Sequence, residues 1–254
     1  MIVSCPGNES RRRRLLITCL LLVAGAAAFT SEQLEARLVA GDPHRQWRIQ
    51  PSAPRPTAAD LNKAAGGAVV TGLIPSRSGS KAYAVAVVGV PIARLWSALN
   101  DETRHPGYTA VEYSELLSGR PCASGRHVLQ FLPVPMLADR WWIGILTKNS
   151  KLMSASGGAM RELAWQSSVD PAEVTTPSGK KIIASAEPIG FTKGAWLLSA
   201  LDERSTLVEY YVHNDPGGSI PAGMANMFAT SGVRDTISAI VRFAKEGNPS
   251  CPIE

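Results

Sequence analysis

The four histidines are the first residues to consider for metal binding or acid-base chemistry. They lie in a proline-bearing segment, before a Pro-Gly turn, or at the start or end of a predicted strand: His44, His105, His127 and His213. No two have the spacing of zinc ligands, so we expect neither a metal ion nor another cofactor. His213 could form a functional pair with Asp215, although a hydrogen-bonded turn before a helix explains Asp215 more simply.

Nucleophilic catalysis has no signature in the chain. No serine lies in a Gly-x-Ser-x-Gly motif, no cysteine lies in a thiol-enzyme motif, and Gly157-Gly158 lacks the lysine of a phosphate-binding loop. Charged residues on predicted strands could supply an acid or a base if they point into a cavity: Arg126, Arg140, Glu162, Glu187 and Glu209. A solvated outer face of a sheet accounts for them more simply, so the sequence favours a protein that is not an enzyme.

Aromatic residues are the better candidates for a binding surface. Six of them lie on predicted strands: Trp141, Trp142, Trp165, Trp196, Tyr210 and Tyr211. Because successive side chains of a strand point to opposite faces, one member of each adjacent pair should face the interior. The apolar residues Val208 and Val212 place Tyr210 on the inner face with them. Core packing is the simplest alternative role for these aromatic residues.

A strand followed by a long helix ends the predicted fold. The alternating segment Leu207 to His213 leads through Asn214-Asp-Pro-Gly-Gly-Ser-Ile-Pro221 into the helix. Apolar residues recur there at intervals of three and four and predict one buried stripe: Ala229, Val233, Ile237, Ile240, Val241 and Ala244. Gly247 and Pro249 then stop the helix.

The rest of the domain alternates strands with turns. Pro75 to Gly79 predicts a hairpin between the first two strands, and a short helix follows Pro91. Asp170 to Gly179 is predicted as an exposed hairpin loop, and a strand is predicted from Lys181 to Pro188. The remaining strands are predicted at Val111 to Leu117, Arg126 to Leu132, Trp141 to Thr147, Glu162 to Val169, Ala195 to Leu201 and Thr206 to Val212. The pattern indicates an α+β domain.

The order of these motifs resembles a START lipid-binding domain. The Asp-Pro-Gly-Gly-Ser-Ile-Pro turn after a Thr-Leu-Val-Glu-Tyr strand, with Met224-Ala-Asn226 opening the helix, is similar to the end of that domain. Asp139-Arg-Trp-Trp142 resembles the start of its central strand. The resemblance covers roughly Ala68 to Glu246. It implies a helix-grip fold, in which a curved antiparallel sheet wraps around the long C-terminal helix and encloses an apolar cavity.

The resemblance also implies a function. START-like domains hold a hydrophobic small molecule or lipid, so we expect a non-enzymatic carrier. The START/polyketide cyclase superfamily also includes cyclases, and a cyclase or aromatase that uses the same cavity is the alternative. Candidate cavity-wall residues are Trp141, Trp142, Trp165, Trp196, Val208, Tyr210, Val212, Val233, Ile237 and Ile240. Ile143-Gly-Ile-Leu146 lacks the arginine often found there in sterol-type members.

Helix geometry suggests an entrance to the cavity. At about 100° per residue, Met224 and Phe228 lie together on a side of the helix that faces away from the buried stripe. They could contact a neighbouring loop. Alternatively, they form the rim of the cavity mouth and touch a membrane transiently while a ligand enters.

The N-terminal residues have the pattern of a secretory signal. Four arginines precede fourteen uncharged, mostly apolar residues that end in three alanines, which predicts a signal peptide over residues 1–28. We therefore expect an exported protein, periplasmic or extracellular, of the bacterial type. An uncleaved segment would instead tether the chain to a membrane. Residues 29–67 are expected to form a tether with short helices, residues 68–248 the ligand-binding domain, and residues 249–254 a tail.

Cleavage would change both the charge and the cysteine content. It removes four arginines and one glutamate, so 22 basic and 20 acidic residues remain and the net charge falls from +5 to +2. No dense Lys/Arg stripe remains, so we expect no nucleic-acid partner. Cys122 and Cys251 are the two cysteines left, and in an oxidising compartment they could form a disulfide or stay as two thiols.

Overall fold

A computed structural model of the protein describes residues 29–218 and 222–252, and for residues 222–229 it describes the backbone alone. The predicted signal peptide and the side chains of Met224 and Phe228 lie outside the described residues. The described helices are α1 (Ser31–Arg45), α2 (Ala58–Ala65), α3 (Ile92–Leu99), α4 (Ser150–Ala155), α5 (Pro177–Ser185) and α6 (Ala222–Glu246). The described strands are β1 (Val70–Ile74), β2 (Ser80–Val88), β3 (Tyr113–Ser118), β4 (Arg126–Leu132), β5 (Arg140–Lys148), β6 (Met160–Ser168), β7 (Glu187–Pro188), β8 (Phe191–Ala200) and β9 (Thr206–Asp215).

The strands form one curved sheet. Their order is β1-β2-β9-β8-β6-β5-β4-β3, all antiparallel, and β7 runs parallel beside β5. The hairpin predicted between β1 and β2 is confirmed. A Cβ atom on Gly79 in its turn would lie 2.3 Å from the carbonyl oxygen of Asn214, and its φ is 61°, so only glycine fits there. The α+β helix-grip architecture expected from the sequence is confirmed.

Helix α6 lies on the concave face of the sheet, where it packs on β1, β2 and α3. The inner face of β2 carries Ala82, Ala84 and Ala86, which are buried and leave room for the helix close to the sheet. The buried side of α6 is formed by Val233, Ile237, Ile240, Phe243 and Ala244. Phe243 was not part of the predicted stripe, and it is fully buried against Tyr108.

Helices α1 and α2 lie on the convex face. Residues 29–67 were expected to contain short helices, as they do, but to form a tether. Leu34 and Leu38 of α1 and Leu61 of α2 are buried in one cluster with apolar residues of β1, β2 and β9. Thr57 caps α2, and its hydroxyl accepts a hydrogen bond from the backbone of Asp60. The segment is therefore part of the folded body.

The segment between β6 and β8 differs from the prediction. In place of a hairpin loop and a strand, it forms a 3-10 turn at Pro171–Glu173, then α5 and the short strand β7. The Thr176 hydroxyl accepts from the backbone of Gly179, and Pro177 occupies the first helical position, which together start α5. Apolar residues of this segment cover the outer side of β4 and β5.

None of the helices within the described ranges has the length and hydropathy to cross a membrane.

Candidate functional site

One wall of apolar and aromatic side chains covers the concave face. Most of the predicted cavity-wall residues meet there in a single cluster: Trp165, Trp196, Val208, Tyr210, Val212, Val233, Ile237 and Ile240. Trp142 lies on the same face, because it alternates along β5 with the buried Leu146. Strand alternation predicts Tyr210 on the inner face and Tyr211 on the outer one. Tyr210 lies in the concave cluster, and Tyr211 lies opposite Tyr83, which packs on the convex side.

Trp141 does not belong to this wall. Its ring is buried on the convex face with Leu129, Ile143 and Val174. The reason is strand alternation: its neighbour Trp142 faces the concave side, so Trp141 must face the other. The sequence left the choice within this pair open because segment 171–186, which buries Trp141, had been predicted as a loop and a strand.

Three aromatic rings form the centre of the wall. The ring of Trp196 on β8 meets that of Tyr210 on β9 edge to face, with 4.6 Å between centroids. The ring of Trp165 on β6 lies 5.5 Å from the same phenol. The Trp165 indole N–H donates to the Thr192 hydroxyl at 3.2 Å. Such ring pairs add rigidity to a wall that is already apolar.

Several side chains of the wall are half-buried although they lie inside the fold. They are Leu116, Gln130, Trp142, Trp165 and Tyr210. The surrounding protein raises the pKa of the Tyr210 hydroxyl well above its ordinary value. A side chain that is enclosed and still has accessible surface is typical of the wall of an internal space. Helix α6 packs on β1 and β2, so this space adjoins β4, β5, β6 and β8.

Polar groups on the wall are few and were missed by the sequence analysis. Gln130 on β4 lies opposite Ser114 on β3 and Trp142 on β5. The Ser114 hydroxyl oxygen is buried and has no hydrogen-bond partner among the described residues. Alternation along β4 with Val128 and Leu132 was the signal that could have placed Gln130 inside. The wall thus has uncharged polar positions that could orient a ligand.

The strand carboxylates lie on the opposite face. Glu209 forms an ion pair with Arg45 of α1, with 2.5 Å between nitrogen and oxygen. Glu162 accepts hydrogen bonds from the backbone of Ile49 and the side chain of Asn149. These glutamates are buried beneath the N-terminal segment and do not form the solvated face expected from the sequence. On β1–β6, β8 and β9, no aspartate or glutamate alternates onto the concave side. Glu187 of β7 lies beside Arg140 at the end of the wall, where it is exposed and forms an ion pair with Arg140 at 3.2 Å.

Cationic side chains lie at both ends of the wall. Arg126 is buried against Glu102 and Asn100, and therefore its charge is neutralised. At that end Lys148 and Arg161 also approach the ring of Trp96, with 5.6 and 5.9 Å from each cation to the ring centroid.

Arg140 holds the opposite end, where the chain turns into α6. Its guanidinium donates to the carbonyl oxygens of Pro216 and Ala138, at 2.8 and 2.5 Å. The Asp215 carboxylate accepts from the backbone N–H of Gly217 at 3.0 Å. Asp215 therefore shapes the turn, in agreement with the structural role expected for it, and is not paired with His213, whose ring contacts Ser78.

A disulfide joins Cys122 and Cys251 at the end of the fold where α6 stops. Beside it is a cavity of about 20 Å³, lined in part by Asn100, Asp101 and Arg126. That volume accommodates one water molecule and excludes a lipid. Among the residues that the structure describes, no group of His, Cys, Asp or Glu side chains could hold a metal ion.

Solved structures share this architecture. The STAR-related lipid transfer protein of Xanthomonas axonopodis is 17% identical, with a TM-score of 0.56 over 71% of this chain and 99% of that chain. Human STARD10 is 14% identical, with a TM-score of 0.55 over 69% and 73%. Human StAR-related lipid transfer protein 5 is 12% identical, with a TM-score of 0.54 over 86% and 99%.

A scan against protein-family models found no match, and neither did a search of the curated proteins. The likeness to the solved structures therefore concerns the fold. Sheet order, the long C-terminal helix on the concave face and the aligned share of each chain all agree with it. The described part of this chain has the helix-grip fold of the START domains.

Proposed function

We propose that the protein binds one hydrophobic molecule, a lipid, against the concave face of its sheet and carries it without catalysing a reaction. The observation that carries this proposal is the aromatic wall, whose central side chains keep accessible surface inside the fold. Two of the structurally similar proteins are named as lipid transfer proteins, which supports it.

Burial of apolar surface is sufficient to retain such a ligand. Each methylene group that leaves water contributes about 0.8 kcal/mol, so a chain of about 12 methylenes contributes roughly 10 kcal/mol before the cost of association. No charged contact is needed. The buried strand carboxylates Glu162 and Glu209 lie away from the wall, which favours a carrier over the cyclase or aromatase alternative.

Native mass spectrometry of the purified protein, followed by solvent extraction, tests the proposal directly. We expect a bound mass that is released with a hydrophobic compound. The variant Gly144→Leu should lower the bound fraction severalfold, because the new side chain would grow from the concave face of β5 into the ligand space. A Cβ atom at position 144 meets its nearest neighbour, Leu146, at 3.6 Å, an ordinary contact.

Thr147→Leu is the matched control. Thr147 lies on the same strand, points to the opposite face and is exposed, so the same aliphatic group there should leave the bound fraction unchanged. Equal loss of ligand in both variants would indicate a general defect of folding. No binding of any lipid in a broad panel would contradict the proposed function.

We also propose that the protein works in an oxidising compartment outside the cytosol. The disulfide between Cys122 and Cys251 supports this, because such bonds persist where thiols are not kept reduced. The signal-like pattern of residues 1–28 supports it independently.

A further inference from the structure

Tyr210 lies at the middle of the concave wall, in wholly apolar surroundings. Its partners across the two neighbouring strands are Ala84 on β2 and Trp196 on β8. Val208 and Val212 precede and follow it on the same face of β9. The phenol hydroxyl is therefore a polar group surrounded by alanine, valine and indole surfaces.

The position of the second indole depends on a glycine. A Cβ atom on Gly194 of β8 would lie 2.4 Å from the ring of Trp165, which shows that this ring lies across the glycine. From there it reaches Tyr210, and the two ring planes are inclined by 31°. Trp165 and Tyr210 thus present a nearly continuous flat surface, while Trp196 supports the phenol from its edge.

The Tyr210 hydroxyl makes no hydrogen bond to any residue in the described ranges, whereas the Trp165 indole N–H is satisfied by Thr192. The Tyr210 side chain keeps accessible surface inside the fold, so its hydroxyl can reach water or a ligand, and polar groups in such positions are usually paired with one or the other. Burial is the one cause of the raised pKa of Tyr210, so no charge lies close enough to affect it. The hydroxyl stays neutral at physiological pH and can donate or accept.

We propose that Tyr210 is the polar anchor of the binding site, and that it forms a hydrogen bond with a hydroxyl or carbonyl oxygen of an uncharged lipid whose apolar body lies against Trp165. This inference rests on the proposed function and specifies its ligand class. A carboxylate or phosphate is disfavoured at this position, because the apolar surroundings supply no counter-charge and the desolvation of an anion would be uncompensated.

Three probes that differ at one group test the anchor: pyrene-labelled dodecanol, dodecane and dodecanoic acid. Their affinities are measured by fluorescence titration at pH 8, where the acid is ionised. We expect the wild-type protein to bind the alcohol roughly three- to tenfold more tightly than the alkane. This ratio corresponds to the net contribution of one hydrogen bond. The acid should bind more weakly than the alcohol.

Tyr210→Phe removes the hydroxyl and keeps the ring. It should abolish the preference for the alcohol and leave the affinity for the alkane and the melting temperature nearly unchanged. Tyr211→Phe is the matched control. It removes the same group one residue later, on the convex face, where Tyr211 lies opposite Tyr83, and it should retain the preference.

The outcomes separate the two proposals. If Tyr210→Phe still prefers the alcohol, or the wild type binds alcohol and alkane equally, the cavity binds lipids but Tyr210 is not its anchor. Tighter binding of the acid than of the alcohol would overturn the ligand class. If none of the three probes binds, the proposed function itself is contradicted.

Discussion

The buried imidazole of His105 makes the stability of this fold depend on pH. The His105 Nε2 atom lies 2.9 Å from the carbonyl oxygen of Ala98, and its ring meets Phe243 of α6 at a right angle. Burial lowers the pKa of His105, although the nearby carboxylates of Glu102 and Asp101 oppose the shift. The folded protein therefore holds the neutral imidazole, which donates from Nε2 to the carbonyl.

We predict that this residue makes stability fall in weak acid. Below the unfolded pKa of about 6.5 the unfolded chain binds the proton and the folded one does not, so the free energy of unfolding falls by at most about 1.4 kcal/mol per pH unit. His105→Gln keeps a donor for Ala98 and does not titrate. Its urea midpoint should depend less on pH between 7 and 5 than that of the wild type, and parallel curves would contradict this account.

Strand alternation was the most reliable sequence signal at the residue scale. It placed Tyr210 on the inner face because Val208 and Val212 share one side of β9, whereas the charged Glu209 lies on the other side. The same rule could not choose between Trp141 and Trp142, since both sides of β5 are covered. In a strand with apolar residues on both faces, alternation does not identify the inner face.

Among the elements, α1 was the hardest to predict. It spans fifteen residues, yet only Leu34 and Leu38 are buried, and Pro43 lies within it. The apolar periodicity is therefore weak, and much of its attachment is electrostatic, through Arg45 and Glu209. An ion pair between residues 164 positions apart leaves no local pattern in the sequence.

The loop between β4 and β5 is the element best suited to touch a membrane. Residues 133–138 are uncharged, and Met136 at the tip is 96% exposed. Arg140 joins this loop to the turn before α6. We propose that the loop contacts the bilayer and that a ligand enters at this end of the fold. Met224 and Phe228, the residues of the predicted entrance, belong to the first turns of α6, which follow the same turn.

Met136→Asp tests this proposal. The φ of Met136 is 63°, a conformation that aspartate tolerates well, so the melting temperature should change little. Transfer of a fluorescent lipid from anionic vesicles should slow severalfold, because a charge at the tip opposes insertion. Val39→Asp, at an exposed apolar position on the convex side, is the control and should transfer at the wild-type rate. Equal rates for all three proteins would exclude the loop.

At the scale of the whole molecule, the sequence predicted the architecture well, because most elements have a simple signal of apolar periodicity or of turn residues. The hairpin, the short helix after Pro91, the central strands and the long C-terminal helix were all placed within a few residues of their observed bounds. The ligand space was harder to place. It depends on which half of the concave face α6 leaves uncovered, and that is set by the small side chains of β2.

The two ends of α6 are held in different ways, and this asymmetry leads to the last prediction. At its C-terminal end, Cys251 is bonded to Cys122, while Ser250 donates to the Asp101 carboxylate and Arg104 to the carbonyl of Gly247. At its N-terminal end, the described part of the turn is bonded by Arg140, which donates to the carbonyl oxygens of Pro216 and Gly217. We propose that the C-terminal end is the fixed end and that the helix opens from the other.

Replacement of both cysteines by serine should therefore lower stability without closing the binding site. A disulfide across 129 residues restricts the unfolded chain by about 5 kcal/mol in the chain-entropy model, and less if the reduced chain keeps residual structure. We expect a large fall in the urea midpoint for the Cys122→Ser/Cys251→Ser protein, and lipid affinity within about twofold of the wild type under conditions where both remain folded. An unchanged midpoint would show that the hydrogen bonds of the tail hold this end alone. A lost affinity with intact folding would show that the bond shapes the ligand site itself, and α6 would then have no fixed end from which to open.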